Sequence, residues 1–196
     1  MKEKLSLTYR FLRIVGLNYS EKEYGQISLW KVMMRVFKTY RDGFLLKFLM
    51  NSWFLAPFSP RKIRPWVLKK IGATVGKNVF IGSKVWIDSG HADMLILEDH
   101  VHIAGETTLL CHQRNLSEYC VGDDYAKLGY KIAKIHLKRG CLIGQKSMIM
   151  PGVTVGEGAI VGAFSLVTKD IPAWTIALGI PAKVVKSVPE KYDKFT

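Results

Sequence analysis

The 196-residue chain has few cysteines, few acidic residues and no long apolar run, and each shortage excludes something. Its three cysteines, Cys111, Cys120 and Cys141, are odd in number and contain no CxxC pair, which excludes a disulfide framework and a zinc ribbon. Only 16 acidic residues stand against 29 Lys and Arg, a net charge of +13. Such a surplus attracts polyanions (nucleic acid, anionic lipid or a phosphate-bearing cofactor) without choosing among them. The most apolar stretch, "FLLKFLMNSWFLAPF" (44–58), is too short to span a membrane and is interrupted by Lys47 and Asn51. "MKEKLSLTYRFLRIVG" at the start has positive charge but neither a continuous apolar stretch nor a small-residue cleavage site, so a cytoplasmic location is expected.

What is present divides near residue 70. The first 66 residues hold 13 Lys and Arg against 4 Asp and Glu, and three of the five tryptophans. "ISLWKVMMRVFKTY" (27–40) and "GFLLKFLMNSWFL" (43–55) space apolar residues by threes and fours, which predicts helices with basic outer faces. "APFSPRKIRPW" (56–66), with three prolines, reads as a connector. A basic, aromatic segment of this kind either lies on a membrane or an anionic substrate carrier, or packs as a cap on the next element or a neighbouring subunit.

From residue 71 a six-residue period sets in. Val75-Gly76, Ile81-Gly82 and Ile87-Asp88 fall six apart, with Val79 and Val85 placed two residues before an apolar–small pair. After a shift the period returns at Leu97-Glu98, Ile103-Ala104 and Leu109-Leu110. It then runs unbroken from Leu137 through Ile143-Gly144, Ile149-Met150, Val155-Gly156, Val161-Gly162 and Val167-Thr168. The position four further on is small or apolar: Cys141, Ser147, Val153, Ala159, Ser165, Ile171. A period of six makes short strands alternating with sharp turns, three units to a triangular coil, each unit sending one apolar side chain inward onto its equivalent in the next coil. Glycine after the inward residue permits a turn that a Cβ would oppose. The period breaks inside "TTLLCHQRN" (107–115) and resumes only near residue 135.

The repeats over 71–172 and the tail "VGAFSLVTKDIPAWTIALGIPAKVVK" (161–186) resemble the hexapeptide-repeat acyltransferases, whose usual ending is "GAGS-VTKDIP…AGNPAK-I". The resemblance covers residues 65–187 and implies a mainly β fold. After the helical, basic N-terminal arm or cap read from spacing and charge at 1–66, it implies a left-handed parallel β-helix at 67–172 with a loop excursion at 113–134, and a CoA-binding C-terminal tail at 173–196. The period alone fixes no hand. The resemblance further implies acetyl transfer from acetyl-CoA, with no metal, by a homotrimer whose active sites lie in clefts between adjacent β-helices. Two departures stand out. Ile180 replaces the usual asparagine, and the N-terminal motif typical of maltose and galactoside acetyltransferases gives way to the basic arm.

In this family a histidine at the edge of a loop excursion is the general base, and His112 occupies that place. The chemistry is sound: a sugar hydroxyl is a poor nucleophile at neutral pH, and an imidazole of pKa about 6.5 can take its proton as oxygen attacks the thioester. Asp88 and His91, where the register shifts in "IDSGHAD", are candidates for binding the acceptor or orienting the base. Tyr119, Asp123 and Asp124, in a loop that also carries Tyr125 and Tyr130, suit a polyhydroxylated acceptor. Matching the tail assigns Ala163, Thr168 and Lys169, with Gly144 and Gln145 one coil earlier, to the pantetheine arm of CoA, and Lys183 and Lys186 to its phosphates. One of His100 and His102 should face outward, and His136 should sit on the surface. Cys111 adjoins His112, but neighbours in an extended strand point to opposite sides, which argues against a shared proton and a covalent cysteine mechanism.

The expected activity is O-acetylation of a carbohydrate hydroxyl in a surface polysaccharide or glycan precursor, with peripheral membrane contact through residues 1–65 and no nucleic acid partner. The rivals are N-acetylation of an amino sugar, serine acetylation and acetylation of an antibiotic. More distant are a zinc enzyme of the carbonic anhydrase type, for which His100 and His102 are spaced too closely, and a non-catalytic basic scaffold.

Overall fold

A computed structural model of the chain describes residues 5–16, 24–52, 54–55, 57–117, 119–125 and 128–190. The outermost residues of the expected arm and tail, 1–4 and 191–196, lie outside the described residues. The chain forms two compact units, Met1–Gly43 and Phe44–Thr196.

The first unit is built on helices α1 (Leu7–Ile14) and α2 (Leu29–Phe44, whose last residue enters the second unit). Ser6 caps α1: its hydroxyl oxygen accepts the Tyr9 N–H at 3.1 Å and its O–H donates to the Ile27 carbonyl at 2.9 Å. Tyr9, Leu12 and Ile27 make a small core joined by Tyr24 and Val32. The face of α2 carrying Trp30, Met33, Phe37 and Tyr40 is exposed, and Lys31, Arg35, Lys38 and Arg41 lie along the same helix. Among the described residues no helix is long and apolar enough to cross a membrane.

In the second unit, the helix expected over 43–55 is reduced to the end of α2 and a π-helical turn, Leu45–Leu49. Asn51 stops it, donating to the Leu46 carbonyl at 3.3 Å and accepting the Lys84 N–H at 3.1 Å. The proline-rich connector is largely helical, a second π-helical turn (Ser59–Ile63) running into α3 (Arg64–Ile71). Pro65 is tolerated because the first turn of a helix leaves its N–H groups unbonded within the helix. Val67, Leu68 and Ile71 of α3 join the core of the coil. Arg64, buried, donates to the carbonyls of Met50 at 2.8 Å and Ile81 at 2.9 Å, locking the helix to the first coil.

Beyond Gly72 the chain winds into a three-sided parallel coil. The first face stacks Thr74–Val75, Leu95–Leu97, Ile135–Leu137 and Thr154–Val155. The second stacks Phe80–Ile81, His102–Ile103, Leu142–Ile143, Ile160–Val161 and Thr175–Gly179, extended by the antiparallel Ala182–Ser187. The third stacks Trp86–Ile87, Thr108–Leu109, Met148–Ile149 and Leu166–Val167. The twelve inward positions of the repeat, from Val75 to Val167, are all 7% exposed or less. Cys111, Cys141, Ser147, Val153, Ala159 and Ser165 are buried with them.

Two departures from the period fall on the same corner, between the third face and the first. From Ile87 to Leu97 the chain takes ten residues and inserts a 3-10 turn, Ser89–Met94. One coil later, between Leu109 and Leu137, it leaves as an antiparallel hairpin in which His112–Arg114 pairs with Tyr130–Ile132. The stacking of the coils places the first insertion beside the root of the second.

Candidate active site

Asp88 follows the inward residue of its strand and is itself buried, at 4% exposure. Its carboxylate is met by two imidazoles from different coils. His112 Nδ1 is hydrogen-bonded to Asp88 Oδ2, and His91 Nδ1 lies 3.4 Å from Asp88 Oδ1. The His91 and His112 ring centroids are 5.0 Å apart. With Asp88 ionised, the proton between it and His112 belongs on Nδ1, which leaves Nε2 as the basic nitrogen of the neutral ring. Both imidazoles remain about one-third accessible, with side-chain exposures of 33% for His112 and 29% for His91.

The hairpin closes one side. Tyr130 approaches the His112 ring edge-on, centroids 5.4 Å apart. The Arg114 guanidinium lies 4.2 Å over the Tyr130 ring and 5.3 Å from that of Tyr125, and donates to the Leu128 carbonyl, so one cation ties the loop back to its root. The sequence marks Tyr130 only as one of the loop's tyrosines and does not single out Arg114. The signal for them was the antiparallel pairing, which no local pattern reveals.

Tyr119, Asp123 and Asp124 sit further out on the loop and are exposed, Asp123 closing a turn by accepting the Cys120 N–H at 2.8 Å. The residues matched to the CoA contacts fall in three places on one chain. Gly144, Gln145 and Ala163 lie at the corner between the second and third faces, where a Cβ on Gly144 would collide with the Ala163 backbone. Thr168 and Lys169 lie at the corner after the third face, and Lys183 and Lys186 on the outer strand Ala182–Ser187, all four exposed.

Cys111 faces inward with no exposed surface, opposite in direction to His112. Burial, reinforced by the charges of Asp88 and Asp93, pushes its thiol up to about 12, far from the thiolate a nucleophile needs. His100 is exposed in a left-handed turn (φ +62°), whereas His102 stacks on Phe80 at 4.1 Å, its pKa lowered by burial and by Arg61. His136 is half-buried on the first face and bonds Glu98 at 2.6 Å.

A three-sided coil of six-residue units, with a buried carboxylate–imidazole pair at an interrupted corner, defines a class. The description "Bacterial transferase hexapeptide (six repeats)" matches residues 134–169. The chain is 32% identical over 170 residues to a putative colanic acid biosynthesis acetyltransferase, WcaF, of Escherichia coli K12, covering 76% of this chain and 91% of that protein. The chain therefore belongs to the hexapeptide-repeat acetyltransferases, and it is an enzyme of that family. It is also 28% identical over 142 residues to the galactoside O-acetyltransferase of the same strain, covering 65% of this chain and 70% of that one. A maltose O-acetyltransferase from Clostridium difficile 630 shares the fold, with a TM-score of 0.59, 20% identity, and coverage of 83% of this chain and 90% of that one.

Proposed function

We propose that the protein transfers an acetyl group from acetyl-CoA to a hydroxyl of a carbohydrate, in the making of a surface polysaccharide or its precursor, with His112 as general base. The observation that carries this reading is the pairing of His112 Nδ1 with buried Asp88. Nε2 takes the acceptor proton as the acceptor oxygen attacks the thioester carbonyl carbon. The tetrahedral oxyanion then collapses, the C–S bond breaks, and the CoA sulfur leaves with the proton returned from Nε2. Asp88 holds the tautomer and orientation and stabilises the imidazolium formed midway, a role its burial strengthens. His91 and the loop residues Tyr119, Asp123 and Asp124 would contact the acceptor.

The proposed CoA contacts suit the donor chemically. Lys169, Lys183 and Lys186 offer exposed cations for phosphates, and the small Gly144 and Ala163 let a narrow pantetheine arm approach the backbone. Because these residues lie at separate corners of one chain, a groove between two chains would gather them, in keeping with a homotrimer of left-handed coils. The exposed aromatic face of α2, set among Lys31, Arg35 and Lys38, fits peripheral contact with an anionic membrane, where a lipid-linked acceptor is made. The O-acetyl assignment draws on the galactoside O-acetyltransferase relative, and the polysaccharide setting on the colanic acid biosynthesis relative.

The test is free-CoA release from acetyl-CoA across a panel of neutral sugars, amino sugars and lipid-linked glycans. His112→Ala should lower kcat/KM on the best acceptor by about 10²- to 10⁴-fold. Equal activity of the two proteins would remove the base assignment, and acetylation confined to amino sugars would replace O- with N-transfer.

A further inference from the structure

The corner that holds the base also brings together three side chains able to ligate a metal, an arrangement that the base chemistry alone does not call for. Asp88, His91 and His112 present one ligand atom each, all within 4.8 Å of one another. They are anchored on separate elements: Asp88 at the end of Trp86–Ile87, His91 in the 3-10 turn, and His112 at the foot of the hairpin. Orienting one imidazole needs one carboxylate, and His112 already has it. His91, turned toward the same carboxylate at 3.4 Å, supplies a second nitrogen with no part in that pair. Two imidazoles and a carboxylate are the donor set of open zinc sites, with bonds of about 2.0–2.2 Å and donor atoms roughly 3.3–3.5 Å apart. Small rotations of two partly accessible rings cover the difference.

We propose that Asp88, His91 and His112 form a binding site for a transition-metal dication such as Zn²⁺, and that its occupation switches the enzyme off. The inhibitory half rests on the proposed role of His112. In the active tautomer the proton is on Nδ1, shared with Asp88, and Nε2 carries the lone pair. A metal at Nδ1 needs that lone pair for itself: Nδ1 gives its proton to water and Nε2 takes one up. No net proton is exchanged, and nothing is oxidised or reduced. The nitrogen that must accept the acceptor's proton has become a donor. Asp88, now a metal ligand, no longer serves the base. The metal thus blocks transfer by changing the tautomer of the base.

The probe is Zn²⁺ itself, measured by equilibrium dialysis on the full chain, with Co²⁺ as a spectroscopic substitute. The wild-type protein should bind one ion per chain and give visible Co²⁺ bands of nitrogen and oxygen coordination. His91→Ala should weaken binding by at least about tenfold, while His136→Ala, on another face, should leave it intact. Within each variant, the ratio of CoA-release rates with and without Zn²⁺ should fall with occupancy and recover on chelation. Absence of stoichiometric binding overturns the site, as does His91→Ala binding as tightly as wild type, or His136→Ala losing the ion instead. Full occupancy with an undiminished rate overturns the inhibition and, separately from the site, the assignment of His112 as base.

Discussion

The three corners of the coil are not equivalent. After the first face, the residue following the inward one is Gly76, Glu98, Lys138 or Gly156; after the second, Gly82, Ala104, Gly144 or Gly162. After the third it is Asp88, Leu110, Met150 or Thr168, with no glycine among them. At several of the directly stacked turns a side chain has no room: a Cβ on Gly82 would fall on the Gly105 backbone, and one on Gly156 on that of Ala173. Where the 3-10 turn and the hairpin push the chain outward, that position carries the carboxylate of Asp88. The buried carboxylate–imidazole pair thus stands on the edge released from close stacking, while glycines hold the tight turns of the other two.

The largest expected effect breaks the regular side of this comparison. Gly82→Val should cost about 4 kcal/mol or more, since its clash is with backbone; a thermal shift far smaller than that of a core deletion would show these corners to be looser than described. Asp88→Asn, on the interrupted edge, should leave the melting temperature nearly unchanged and lower kcat by about 10²-fold or more, because an amide does not enforce the tautomer. Stability loss without a matching kinetic loss would make Asp88 a packing residue. A third outcome concerns the thiols. With Cys111 and Cys141 both pushed to about 12 by burial, a disulfide reagent at pH 8 should modify only Cys120 until the protein is unfolded, when all three react.

The smallest effect is at His102 on the second face, where burial and then Arg61 lower the folded pKa. Between that value and the unfolded one, near 6.5, the unfolded chain binds more protons, so stability is complete above this window and declines as pH falls through it. His102→Phe should flatten that decline in a series of melting curves taken from pH 7.5 to 5, and an identical slope in both proteins would refute it.

Much of this was legible because the repeat states its own geometry: an inward Val, Leu or Ile every sixth residue can be read without a structure, and each one is buried. The place of His112, where the period stops and the hairpin begins, was legible for the same reason, and its role as base belongs to the proposed function. Asp88 was named only as a candidate, since its partner lies 24 residues away in sequence and is brought near by the stacking of two coils. The pairing of Tyr130 with Arg114 depends on a hairpin register that the polar loop sequence does not encode in any alternation. In the arm, helix α2 followed from its spacing, whereas the run over 43–55 ended early because Asn51 drew the backbone into other bonds.

The hairpin His112–Arg114 with Tyr130–Ile132 leaves and re-enters the coil at neighbouring points, with the Ala133 N–H returned to the Cys111 carbonyl at 3.0 Å. A segment so closed at its base is an interchangeable part. Doubling the length of such a loop adds only about 0.6 kcal/mol of closure entropy, so a foreign loop grafted between Arg114 and Tyr130 leaves every coil contact untouched. If the loop contacts the acceptor as proposed, acceptor range can drift by insertion and deletion while the scaffold stays fixed.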